Sequence, residues 1–103
     1  MNVAEISGVV DFVREQVTLG EGVDADEATI YKINDKAFLI ERKNTIEVRT
    51  DRKLADHLRE KYESVMESRY FGRGGIEIVL SGQLEEDELK DLVRLSFDLT
   101  KKD

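Results

Sequence analysis

The stretch Arg69-Tyr70-Phe71-Gly72-Arg73-Gly74-Gly75 brings together residue types that hold phosphates and residue types that stack on bases. A guanidinium offers a planar fork of N–H donors to phosphate oxygens, and aromatic rings take exposed bases on their faces. Glycine-rich loops also cradle phosphates, but a phosphate loop opens a helix with Lys-Ser/Thr, whereas this one runs into a strand pattern. The same residues have a structural reading, a glycine-rich connection whose Tyr70 and Phe71 cap the core.

Other groups that could do chemistry are few. His57 is the single histidine, and the chain has no cysteine, which removes thiolate nucleophiles, disulfides and cysteine-ligated metals. His57 lies three residues after Leu54 beside an apolar helical stripe and has no Ser or Cys motif to serve, so it reads as a surface or boundary residue. Asp24-x-Asp26-Glu27 lacks the glycine and closing Glu of a calcium loop. Glu85 to Glu88 have a sufficient role at the positive end of a helix macrodipole. The expectation is therefore no catalytic residue, no metal and no cofactor.

Charge narrows the partners. Sixteen Lys+Arg against 23 Asp+Glu leave a net charge of -7, a sign that repels phosphate backbones and anionic lipid at long range. Residues 41–75 are the exception, with 9 basic groups against 7 acidic. No apolar run exceeds Ala37 to Ile40, and Glu5 and Asp11 stand where a secretory leader would be basic and then apolar. A cytosolic protein without signal peptide or membrane span is expected. One domain over residues 1–103 suits this length, which buries roughly 60–70% of its unfolded surface without metal or disulfide.

The elements that would position these groups follow from periodicity. Val3, Ile6, Val10, Val13 and Val17 recur at spacings of three and four and predict a first helix. Leu19 to Glu27, with two glycines and four carboxylates, reads as a loop. Thr29 to Ile33 and Lys36 to Arg42 form a hairpin about Asn34-Asp35. Lys43-Asn44 turns the chain into a third strand, where Ile46 and Val48 alternate with Glu47 and Arg49 and leave one face wet. A second helix runs from about 51 to 63 and lines up Leu54, Ala55, Leu58 and Tyr62. Ser64 to Gly75 reads as irregular, Ile76 to Leu80 as a fourth strand, and Glu85 onward as a third helix presenting Leu89, Leu92, Val93 and Ser96. The expected fold is α+β in the order α-β-β-β-α-β-α, a mainly antiparallel four-stranded sheet with helices on one face.

From about Ala28 to Leu99 this pattern resembles the MmcQ/YjbR-like family of small α+β proteins. The resemblance rests on Asn34-Asp35-Lys36-Ala37-Phe38, then on Val48-Arg49-Thr50-Asp51 running into Leu54-Ala55, Leu58-Arg59 and Tyr62-Glu63-Ser64-Val65. Leu84, Glu88-Leu89, Leu92-Val93 and Ser96-Phe97-Asp98-Leu99 complete it, similar to the family's closing helix. The chain departs from the family where an Asn-Lys-x-His-Trp-Asn run precedes the fourth strand, having Gly72-Arg73-Gly74-Gly75-Ile76-Glu77 instead, and where a Pro follows the Asp that opens the second helix, having Arg52. The N-terminal domain of TfoX is similar in its hairpins and closing helix.

The family is described as DNA-binding on structural analogy, so the resemblance implies a noncatalytic binding or regulatory module. Weak, salt-sensitive nucleic-acid binding would fall to Arg49, Arg52, Lys53, Arg59, Arg69 and Arg73, with Tyr70 and Phe71 stacking on bases. The alternative is a protein-interaction or structural module that uses the exposed sheet face, and an enzyme comes third.

Overall fold

The computed structural model describes Val3 and residues 11–102. Six strands occur there: β1 (Val13–Leu19), β2 (Asp26–Ile33), β3 (Lys36–Glu41), β4 (Thr45–Arg49), β5 (Val65–Ser68) and β6 (Gly72–Val79). The helices are α1 (Arg52–Lys61), between β4 and β5, and α2 (Glu86–Lys102), which closes the chain. All six strands form one antiparallel sheet in the order β1-β2-β3-β4-β6-β5. The α+β class and antiparallel pairing match expectation, while the four-stranded sheet and the order α-β-β-β-α-β-α are corrected to six strands and β-β-β-β-α-β-β-α.

Two misreadings account for the difference. Val13 to Val17, expected to finish a first helix, form most of β1, and residues 4–10 of that expected helix lie outside the described residues. A spacing of four is compatible with both periods, and the β-branched Val13, Val17 and Thr18 fit a pleated surface once β2 offers a partner strand. Ser64 to Gly75, expected to be irregular, contains β5 and the start of β6. β5 is four residues long and its register with β6 shifts between Glu67 and Ser68, so it carries no alternation visible in sequence. Within the expected loop Leu19 to Glu27, only the 3₁₀ turn Gly22–Asp24 and its flanks separate β1 from β2.

The local signals that held have clear causes. Asn34 and Asp35 adopt φ of 52° and 64°, the double left-handed turn that suits a two-residue hairpin. Asp51 caps α1, its carboxylate accepting the Leu54 N–H at 2.8 Å.

Both helices cover one face of the sheet, α2 over β3 and β4 and α1 over β6 and β5. Between them lie Phe38, Leu39, Ile46, Val48, Ile76, Ile78, Val93 and Phe97, all at most 2% exposed. The face turned away from the helices carries a second cluster of Ala28, Ile30 and Ile40, against which Val17, Leu19 and Phe71 pack. Leu19 comes from one end of the strand order and Phe71 from the turn beyond the other, so the sheet curls toward this face.

Candidate functional site

The curled face holds a buried ion network that sequence reading missed. Glu47 of β4 and Glu77 of β6 stand opposite each other in register, and are 0% and 3% exposed. Two adjacent carboxylates in an apolar sheet would repel unless each were separately compensated. Glu47 accepts from Arg42 Nε at 2.6 Å, from Ser68 Oγ at 2.8 Å and from the Tyr70 N–H at 2.9 Å. Glu77 accepts from Arg69 through Nε at 2.9 Å and Nη2 at 2.7 Å, and from Thr45 Oγ1 at 2.8 Å. Asp26 completes the set by accepting from Arg42 Nη1 at 2.6 Å. Among the described residues no buried side-chain polar atom lacks a partner.

These contacts decide the chemistry the network can perform. Burial pushes the Glu77 carboxyl upward, but the hydrogen bonds from Arg69 and Thr45 and the charges of Arg69 and Arg42 outweigh it and hold the group below its usual range. Burial likewise works against the Arg42 charge, while Glu47 and Asp26 more than restore it. Such a carboxylate is a poor proton donor near neutrality and, enclosed, a poor base for an outside substrate. A cleft of about 660 Å³ opens beside the network between Asp26, Glu27, Arg42, Lys43, Asn44, Thr45 and Arg69.

The network also corrects the reading of β4 as wet on one side. Its outward-facing Glu47 is fully buried, because the curl of the sheet and the β5–β6 turn close over it. Glu47, Glu77, Arg42 and the Ala28–Ile30–Ile40 cluster occupy the central strands of the sheet face turned from the helices, while Val13 and Glu15 of β1 are exposed. The glycine-rich stretch serves the same closure. A Cβ on Gly75 would stand 2.6 Å from Phe71 Cβ and 2.7 Å from the Val48 carbonyl, so only glycine lets Phe71 fold over the strand. Gly72 takes φ +72°, the left-handed conformation that turns β5 into β6.

The expected phosphate-binding residues divide into two sets. Arg49 lies opposite Gly75 in register, and the Thr50 N–H donates to the Gly74 carbonyl at 2.8 Å, so the end of β4 and the start of β6 are fastened side by side. Arg52 and Lys53 open α1 two residues further on. Arg49, Arg52, Lys53 and Arg73 are thus carried to one end of the sheet. Arg52, Lys53 and Arg73 are exposed and make no ion pair with any described residue, and Arg49 donates to Thr100 Oγ1 of α2 at 3.2 Å. Lys101 and Lys102, exposed and directly after Thr100, add charge near that end.

Arg59 and Arg69 stand apart from this group. Arg59 is held by Asp56 and Glu67 over β5, and Arg69 is turned to Glu77 on the curled face. Tyr70 is 44% exposed, while Phe71 is packed in the second cluster and stacks edge-on against Tyr70 at 5.1 Å between ring centres. His57 is exposed on α1. Among the described residues no group of three or more His, Cys, Asp or Glu is placed to hold a metal ion, and no helix is long and apolar enough to cross a membrane.

Comparison with known proteins agrees with this architecture. No curated protein matches the chain. A crystal structure of a protein from Pseudomonas syringae, a structural genomics target, shares the fold with a TM-score of 0.65 and 19% identity, over 82% of this chain and 86% of that one. The family model described as YjbR matches residues 13–99, from the first strand to the last turns of the closing helix, and the chain therefore belongs to the YjbR family.

Proposed function

We propose that this protein is a noncatalytic binding module that takes nucleic-acid phosphates at the end of the sheet where Arg49, Arg52, Lys53 and Arg73 meet. The observation that carries this reading is the fastening of Thr50 to Gly74, which brings the stretch from Arg49 to Lys53 and the strand start at Arg73 to the same end of the sheet. Three of them are exposed and unengaged by carboxylates among the described residues, which leaves their N–H donors available to phosphate oxygens. The net charge of -7 opposes the approach, but its reach is about 8–10 Å at physiological salt, so a local cluster still binds at contact.

The expected affinity is in the nonspecific range of roughly 10⁻⁴–10⁻⁶ M, with a log–log salt slope of about -2 to -4 for three or four phosphate contacts. Titrating a labelled duplex and a labelled single strand at two salt concentrations measures both quantities. The triple variant Arg52→Ala, Lys53→Ala, Arg73→Ala should abolish binding, and Arg59→Ala should leave it nearly unchanged. Absence of binding at low salt, or full binding by the triple variant, would refute the reading.

A further inference from the structure

The two edges of the sheet are treated differently. β5, at one edge, is four residues long and interrupted by a register shift, two devices that discourage pairing with another chain. β1, at the other, pairs with β2 over seven consecutive residues without a shift. It contains no proline, lysine or bulge to blunt its free side, and Val13 is 63% exposed on it. Among the described residues no strand pairs with that outer side.

We infer that β1 is the dimerisation edge of this protein and pairs antiparallel with β1 of a second copy about a two-fold axis through Gln16. In an antiparallel ladder, opposed residues must both point their backbone groups toward the partner or both away, so a two-fold axis between identical strands passes through a residue facing its own mate. Gln16 is the midpoint of Val13–Leu19, and this axis alone pairs all seven residues. Opposed pairs are then Val13 with Leu19, Arg14 with Thr18, Glu15 with Val17, and Gln16 with itself. No like charges are set directly against each other, the exposed Val13 gains an apolar neighbour, and the two Gln16 amides can donate and accept reciprocally. An axis one residue earlier would oppose Glu15 to Glu15, and two residues earlier Arg14 to Arg14, both repulsive.

The absence of native cysteine makes a direct test available. Gln16 is exposed, so Gln16→Cys introduces a single thiol without disturbing the core. On the proposed axis the two Cα atoms lie about 4.5–5.5 Å apart, within the span of a disulfide. Thr18→Cys, two residues away, would stand roughly 13 Å from its mate, beyond that span. Mild oxidation should convert most of Gln16→Cys, and little of Thr18→Cys, to a covalent dimer. Unmodified protein should sediment at twice its 11.8 kDa chain mass. Gln16→Lys, which sets two charges on the axis, should return it to the single-chain mass with unchanged circular dichroism. A monomeric wild type, or equal crosslinking at both positions, would overturn the proposal.

Discussion

At the scale of single residues, the most consequential side chains are Glu47 and Glu77, whose charges survive burial because donors from two strands and two turns converge on them. Breaking one member of such a set exposes how it is held. At neutral pH, Glu77→Gln should destabilise the fold by about 1.5–3 kcal/mol, the range for hydrogen bonds to a charged group. The lower part of the range applies, since Arg69 is 57% exposed at its side chain and can turn to water. The sign of the pH dependence follows from the direction of the shift. With its folded value below the ordinary 4.5, Glu77 contributes stability that is present above that value and is lost as pH falls through the folded one. Urea melts from pH 7 to pH 3 should therefore show the gap between wild type and Glu77→Gln narrowing below pH 4.5. A gap independent of pH would mean that packing, and not ionisation, accounts for the loss.

Among the elements, α2 is the strut that fixes the sheet. Its buried stripe is Leu89, Val93, Ser96, Phe97 and Thr100, rotated from the expected Leu89, Leu92, Val93 and Ser96 so that Leu92 falls at the margin. Ser96 reaches the seam between β3 and β4, its hydroxyl donating to the Phe38 carbonyl at 2.5 Å and accepting the Arg49 N–H at 2.8 Å. These strands pair directly over only three residue pairs, so the helix supplies the hydrogen bonds where the ladder ends. Phe97 packs edge-on against Phe38 with ring centres 5.2 Å apart. Phe97→Ala should cost about 3–5 kcal/mol, while Leu92→Ala should cost no more than about 2 kcal/mol, at the low end for such truncations. Denaturant melts of the two variants measure the difference, and equal losses would show that the stripe is centred elsewhere.

For the whole molecule, both apolar clusters and the ion network among the described residues are built on one continuous sheet. The expected outcome is a single cooperative transition for residues 1–103, in which near-ultraviolet and far-ultraviolet circular dichroism report the same midpoint. Each kcal/mol lost by a variant should lower the melting temperature by about 4–8 °C. Two separated transitions would divide the chain into independent units. The charge distribution belongs to this scale as well: on the proposed function, an acidic molecule that exposes Arg52, Lys53 and Arg73 at one end would turn that end toward an anionic partner.

Local signals in the sequence were sufficient for elements whose cause is local. Asn34-Asp35 names its own turn, Asp51 its own cap, and the alternation of Ile46 and Val48 its own strand, because each depends on neighbours a few residues away. The family pattern was legible in the same elements. β1 and β5 were not, because seven residues with a valine every fourth position, or four with no alternation, become strands only when a partner edge is supplied from elsewhere in the chain. The candidate site divides on the same principle. Arg49, Arg52, Lys53 and Arg73 could be chosen by type, but whether they meet depends on the pairing of Arg49 with Gly75. Glu47 and Arg42 gave no signal at all, since in sequence a charged residue on the far side of a strand looks solvated. Only the curl of the sheet, a long-range consequence of packing both of its ends, removes the water and obliges each charge to find a partner.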